Sequence, residues 1–230
     1  MNGLFRILTI AEMQGRDLMR RHVAMALLVA LPLAFYGSLA GHDTEAIIPG
    51  GISMAFSLGG AAIFSVLSSR TVDQRLALSG FRAGELIMGR LLFIEAVALP
   101  VVGGTAALMA VVSSPARPWI LGLAVAMVAL IAVPFGLAIG TLVPRELEAT
   151  LILIGVVGIQ LSLSGSAAVA RLLPFWAPRR LIDVALGETS SVWRMVLVGV
   201  AYAAALFAAS LILMARQVAV RRHPPIGAAP

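Results

Sequence analysis

Six stretches of this chain hold no aspartate, glutamate, lysine or arginine: residues 23–41, 46–69, 96–116, 118–144, 149–170 and 195–215. A helix needs roughly 20 apolar residues to cross a hydrocarbon core about 30 Å thick, so each stretch has the length of one crossing. In lipid each must satisfy its own backbone hydrogen bonds, which makes the helix the default. The expected fold is an all-α membrane protein with six transmembrane helices. Composition agrees, with 60% of the 230 residues hydrophobic and 12% charged, against about 45–50% and 25% in soluble domains. With a mean hydropathy of +0.99, a soluble globular fold, a disordered chain and an ordinary nucleic-acid binder are excluded.

Two absences narrow the chemistry. There is no cysteine, hence no disulfide framework, thiolate metal site or cysteine nucleophile. All 17 basic residues are arginine, so there is no lysine for a P-loop or a Schiff base. ATP energy would have to come from a partner. The three histidines, His22, His42 and His223, form no H-E-x-x-H, and the serines of residues 163–166 form no G-x-S-x-G. The chain is therefore expected not to be an enzyme, the runner-up being an intramembrane one. The net charge of +6 reads as topology and anionic-lipid contact rather than nucleic-acid binding, because most arginines flank the apolar runs.

Their distribution sets an orientation. With both termini in the cytoplasm, twelve arginines lie inside, and five (Arg117, Arg171, Arg179, Arg180 and Arg194) lie outside. The outer cluster at 171–194 runs against the bias and predicts a structured outer segment between spans five and six. Ser38-Leu39-Ala40 mimics a cleavage site, but the leading region is too long and further spans follow, so an uncleaved first helix is expected. Residues 1–22 read as an amphipathic helix lying along the interface, with Leu4, Ile7, Leu8, Ala11, Gly15 and Leu18 on one stripe and Arg6, Gln14, Asp17 and Arg21 opposite. Residues 23–217 are expected to form the transmembrane domain, and 218–230 a disordered cytoplasmic tail.

The loop after the second span interleaves Arg70, Asp73 and Arg75 with Val72, Leu76 and Leu78 before Ser79-Gly80 breaks the pattern. A short helix with an apolar side and both charge signs suits docking on a soluble partner. Within the spans, Gln160 with Ser162, Ser164 and Ser166 supplies polar groups at membrane depth, where Gln160 and Ser164 either line a pathway or bond between helices. Glu95 lies one turn beyond Arg90 and is expected to reach back to the interface. Gly136-x-x-x-Gly140 and the repeat Ala201, Ala205, Ala209 permit close helix packing or a subunit contact.

An amphipathic start, six spans, a charged loop between spans two and three and a structured outer segment resemble the membrane subunit of an ABC type-2 transporter. Members often show an acidic-Arg-acidic cluster, Gly-Thr and a Pro-containing turn before span three. Here Asp73-Gln74-Arg75 stands in the cluster's place, Ser79-Gly80 replaces the proline turn, and Glu85-Leu86-Ile87-Met88-Gly89-Arg90-Leu91-Leu92 matches the lead into span three. Residues 173–178 and 181–187 look like the family's outer segment, whose short helices dip toward the membrane and help close the pathway. Pro174 and Pro178 restrict the backbone there, and Trp176 and Trp193 suit the headgroup layer.

The resemblance implies half of an export pathway in a bacterial inner membrane for a hydrophobic or amphipathic, drug- or lipid-like cargo. It implies a second permease subunit, identical or related, and separate ATP-binding-cassette ATPase subunits that carry ATP and magnesium. Asp73, Arg75, Phe81 and Arg82 would couple to the ATPase, and Pro174, Phe175, Trp176 and Pro178 would form the outer gate. Met54, Phe56 and Phe64 would contribute to an apolar cavity. A haem-exporter-type membrane subunit and an ATP-independent secondary transporter are the alternatives.

Overall fold

The computed structural model describes residues 3–19, 22–38, 46–164 and 168–220. Among these the regular structure is helical: α1 (Gly3–Met19), α2 (His22–Gly37), α3 (Ile47–Ser68), α4 (Arg70–Leu78), α5 (Ala83–Ser113), α6 (Pro118–Leu142), α7 (Glu146–Ser162), α8 (Trp176–Ala185) and α9 (Val192–Val220), with one 3-10 turn, Val169–Leu172, ahead of α8. Residues 39–45 and 221–230, which include His42, the Leu39 and Ala40 that mimic a cleavage site, and most of the expected tail, lie outside the described residues. Helix α9 runs three residues past the boundary set at 217.

The centre is a pair, α3 and α6, running in the same direction. Gly51 of α3 lies beside Val125 of α6, and further along Gly136 and Gly140 lie on Gly59, Ala62, Ile63 and Val66. A Cβ on Gly136 would strike the Gly59 carbonyl, and one on Gly140 would come 3.1 Å from Ile63 Cα. The G-x-x-x-G motif is thus consumed inside the chain, letting two backbones touch and gain dispersion contacts that larger side chains would prevent. The other helices wrap this pair. Tyr36 of α2 sits at Gly50, Leu153 of α7 at Gly59, Ile182 of α8 at Gly51 and Met127 of α6 at Gly199 of α9. By contrast Ala201 and Ala205 of the alanine repeat face outward, and Met54 is sealed in the core rather than lining an opening. Phe56 stacks on Phe35 at 5.8 Å.

Among the described residues four helices, rather than the expected six, are long and apolar enough to cross a membrane: α3, α5, α6 and α9. Helix α2 has 16 residues and α7 has 17, about 24–26 Å at 1.5 Å per residue, short of a 30 Å core. For α7 the reason is visible at both ends. Its first turn spends two positions on Glu146 and Glu148, where acids favour the helix dipole. At the other end Ser162 Oγ donates back to Gly158 O and Leu163 turns extended, so the apolar run to residue 170 is not one helix. Helix α5, in contrast, starts well before the apolar run and carries Glu85, Arg90 and Glu95.

Two glycines stop helices. Gly80 (φ +89°) ends α4 and Gly187 (φ +122°) ends α8, each followed by an amide that bonds back five residues, Phe81 N to Leu76 O and Glu188 N to Asp183 O. Side chains with a Cβ rarely adopt this left-handed geometry.

Candidate functional site

Polar side chains gather at the end of the bundle where α4 lies, and they fasten this short helix to its neighbours. Asp73, in the first turn of α4, accepts from Arg90 Nη2 of α5 at 2.6 and 2.7 Å. Arg90 is 1% exposed and Asp73 8%. Burial pushes the Asp73 carboxyl above its ordinary pKa, opposed by the charge and hydrogen bonds of Arg90. At the start of α4, Arg70 donates to Gly140 O and Val143 O, both at 2.9 Å, and so satisfies carbonyls left open at the C-terminus of α6.

Helix α1 closes the cluster. Arg6 Nη1 donates to Gly80 O at 2.9 Å, approaches Glu85 Oε2 at 3.5 Å, and its guanidinium lies 5.2 Å from the Phe81 ring centre. Glu85 also accepts from the Arg82 backbone N–H at 2.8 Å, fixing the start of α5. Gln14 accepts from Ser65 at 2.8 Å and donates to Ser69 at 3.3 Å, while Ser69 bonds back to Ser65 O. Arg6 and Gln14 were expected to face away from the apolar stripe into solvent. They turn inward instead, because the ends of α3 and α4 offer them partners, and Ile10 between them packs on Gly89. Leu8, on the expected apolar stripe, is exposed together with Phe5 and Met13.

The four residues expected to couple to a partner therefore divide. Asp73 is internal and Phe81 half-buried beneath Arg6, whereas Arg75 and Arg82 are exposed. Leu78, at 83% exposure, and Val72 join Arg75 and Arg82 on the free surface of this turn. The sequence places Arg6 on the polar side of α1, Arg70 in the charged loop and Arg90 at the entry to the third span, but marks none of them as a fastening contact. Arg90 carried a further signal, since a lone arginine well inside an apolar helix needs a partner.

At the opposite end, α8 is wedged among α3, α6 and α9. Of the four expected gate residues, Phe175 is fully buried and meets Phe135 edge-on at 5.9 Å, Trp176 and Pro178 are buried, and Pro174 is half-buried. The backbone amide of Arg117, at the start of α6, donates to Ala185 O at the end of α8. Arg180 bonds Asp183 at 3.1 Å, Glu188 at 2.8 Å and Ser190 at 3.1 Å. Burial raises the Asp183 carboxyl, with Arg179 and Arg180 pulling it down.

The two expected pathway residues are not alike. Gln160 is fully buried with neither amide atom hydrogen-bonded among the described residues, while Ser164 is exposed beyond the end of α7. Glu95, expected to reach back to the interface, has its Oε1 buried with no hydrogen-bond partner among the described residues. Gly165 and Ser166 lie outside the described residues. No protein-family model and no curated protein matches this chain.

Proposed function

We propose that this protein is the permease subunit of an ABC-type exporter, forming half of a pathway for a hydrophobic or amphipathic cargo. A second permease subunit would complete the pathway, and separate ATPase subunits, holding ATP and magnesium, would drive it from the α4 end. In this reading α2 and α7, though short, complete six crossings in a bacterial inner membrane, with both termini in the cytoplasm.

The observation that carries the reading is the construction of the α4–α5 turn. Its inner side is fixed to α1, α5 and α6 by Arg6, Arg90 and Arg70, and its outer side presents Leu78 and Val72 with Arg75 and Arg82. An exposed leucine between cations on an immobilised knob is a surface for a protein partner, since apolar anchors contribute affinity and charges set approach and register. Movement of a partner gripping this knob passes to three helices together. A partner drives the membrane part only if it binds two of its arrangements with different affinity.

The test is gentle extraction from the native membrane and mass spectrometry of what co-purifies. A P-loop ATPase at near-equal stoichiometry is expected with the unaltered chain and should be lost on the double change Arg75→Glu and Leu78→Asp. A chain that is active alone, with no ATPase bound, sinks the proposal.

A further inference from the structure

Arg179 and Arg180 are the fourth and fifth residues of α8, near the helix end where cations oppose the dipole. Their partners are too few. Arg180 is engaged by Asp183, Glu188 and Ser190. Arg179, with its side chain only 13% exposed, approaches the already shared Asp183 no closer than 4.0 Å. Its Nε is buried with no hydrogen-bond partner among the described residues. A guanidinium carries five N–H donors, and burying even one of them without an acceptor is costly. Arg117, whose Nη1 donates to Glu188 O at 3.3 Å, adds a third cation. Among the described residues, three arginines against Asp183 and Glu188 leave the cluster one positive charge in excess.

The depth of the cluster is marked independently. Trp119, second in α6, and Trp193, second in α9, are 66% and 70% exposed at this same end. Exposed tryptophans at the ends of membrane helices sit at headgroup level. Phosphate is the acceptor abundant at that depth, and the planar guanidinium fork matches it with two parallel hydrogen bonds. We propose that Arg179, supported by Arg180, holds the phosphate of an anionic phospholipid in the leaflet at the α8 end. The site rests on the membrane location of the chain and not on the export reading.

The test titrates the full-length purified protein, stripped of lipid in detergent, with phosphatidylglycerol, phosphatidylcholine or inorganic phosphate, and counts bound molecules by native mass spectrometry. Phosphatidylglycerol should bind about tenfold more weakly to Arg179→Gln than to the unaltered chain, the loss of a charge-assisted hydrogen bond. Arg194→Gln, an exposed change outside the cluster, should leave binding intact. Arg179→Lys, which keeps the charge but not the fork, should fall between and carries the test if the glutamine variant misfolds. Equal binding to Arg179→Gln overturns the proposal, as does equal affinity for phosphatidylcholine. Inorganic phosphate that binds through Arg179 where phosphatidylglycerol does not overturns the lipid source.

Discussion

Asp73 and Arg90 show how one residue pair governs a local fold. Each charge is expensive to bury, and their mutual hydrogen bonds offset that only while both are present. Asp73→Ala should therefore destabilise the protein by about 3–5 kcal/mol, read as a lower thermal midpoint in detergent, because a bare guanidinium is left inside. Replacing both with leucine and methionine should recover most of the loss, and if it does not, the pair contributes something beyond charge compensation. Arg6 is more exposed and its hold weaker. Arg6→Ala should cost about 1 kcal/mol, and limited proteolysis should then cut at Arg82 sooner than in the unaltered chain. These pairings were only half legible. The sequence displays Asp73 as a candidate and Arg90 as an oddity, but the two lie seventeen positions apart, and nothing in periodicity says that α4 folds back onto α5. Arg6 and Gly80 are further apart still, and a backbone carbonyl leaves no mark in composition.

Helices themselves were easier to read than their limits. Apolar runs announced α3, α6 and α9, and mixed charge followed by Ser79-Gly80 announced α4, since Gly80 supplies a backbone geometry that ends a helix. The run at 149–170 misled, because hydropathy does not register that the backbone turns extended at Leu163 and ends the helix at Ser162. Small residues behaved similarly: Gly136 and Gly155 look alike in sequence, yet the first touches the backbone of α3 and the second meets nothing within 4 Å. Gly136→Val should force α3 and α6 apart and cost about 1–3 kcal/mol or more. Gly155→Ala should be neutral or stabilising by up to about 1 kcal/mol through the reduced freedom of the unfolded chain. Paired thermal unfolding measurements would check both, and a neutral Gly136→Val would mean that the central contact is not tight.

At the scale of the molecule, the absence of cysteine makes the orientation directly measurable, since any introduced thiol is unique. Leu78→Cys should react with a membrane-impermeant reagent only from the cytoplasmic side, and Trp193→Cys only from the other. Labelling of both from one side would discard the topology drawn from the arginines. The overall plan, polar clusters at two ends of a helical bundle, follows from hydropathy, whereas the central pairing of α3 with α6 does not, because contact between apolar faces leaves the choice of neighbour open. Helix α6 is itself tied at both tips, its last carbonyls to Arg70 and its leading Arg117 amide to the end of α8. Its 25 residues make a rod about 37 Å long, pinned to α4 at one end and α8 at the other. A displacement at either end is carried to the far one through a single helix, in which Pro134, with no amide to donate, leaves one turn a hydrogen bond short.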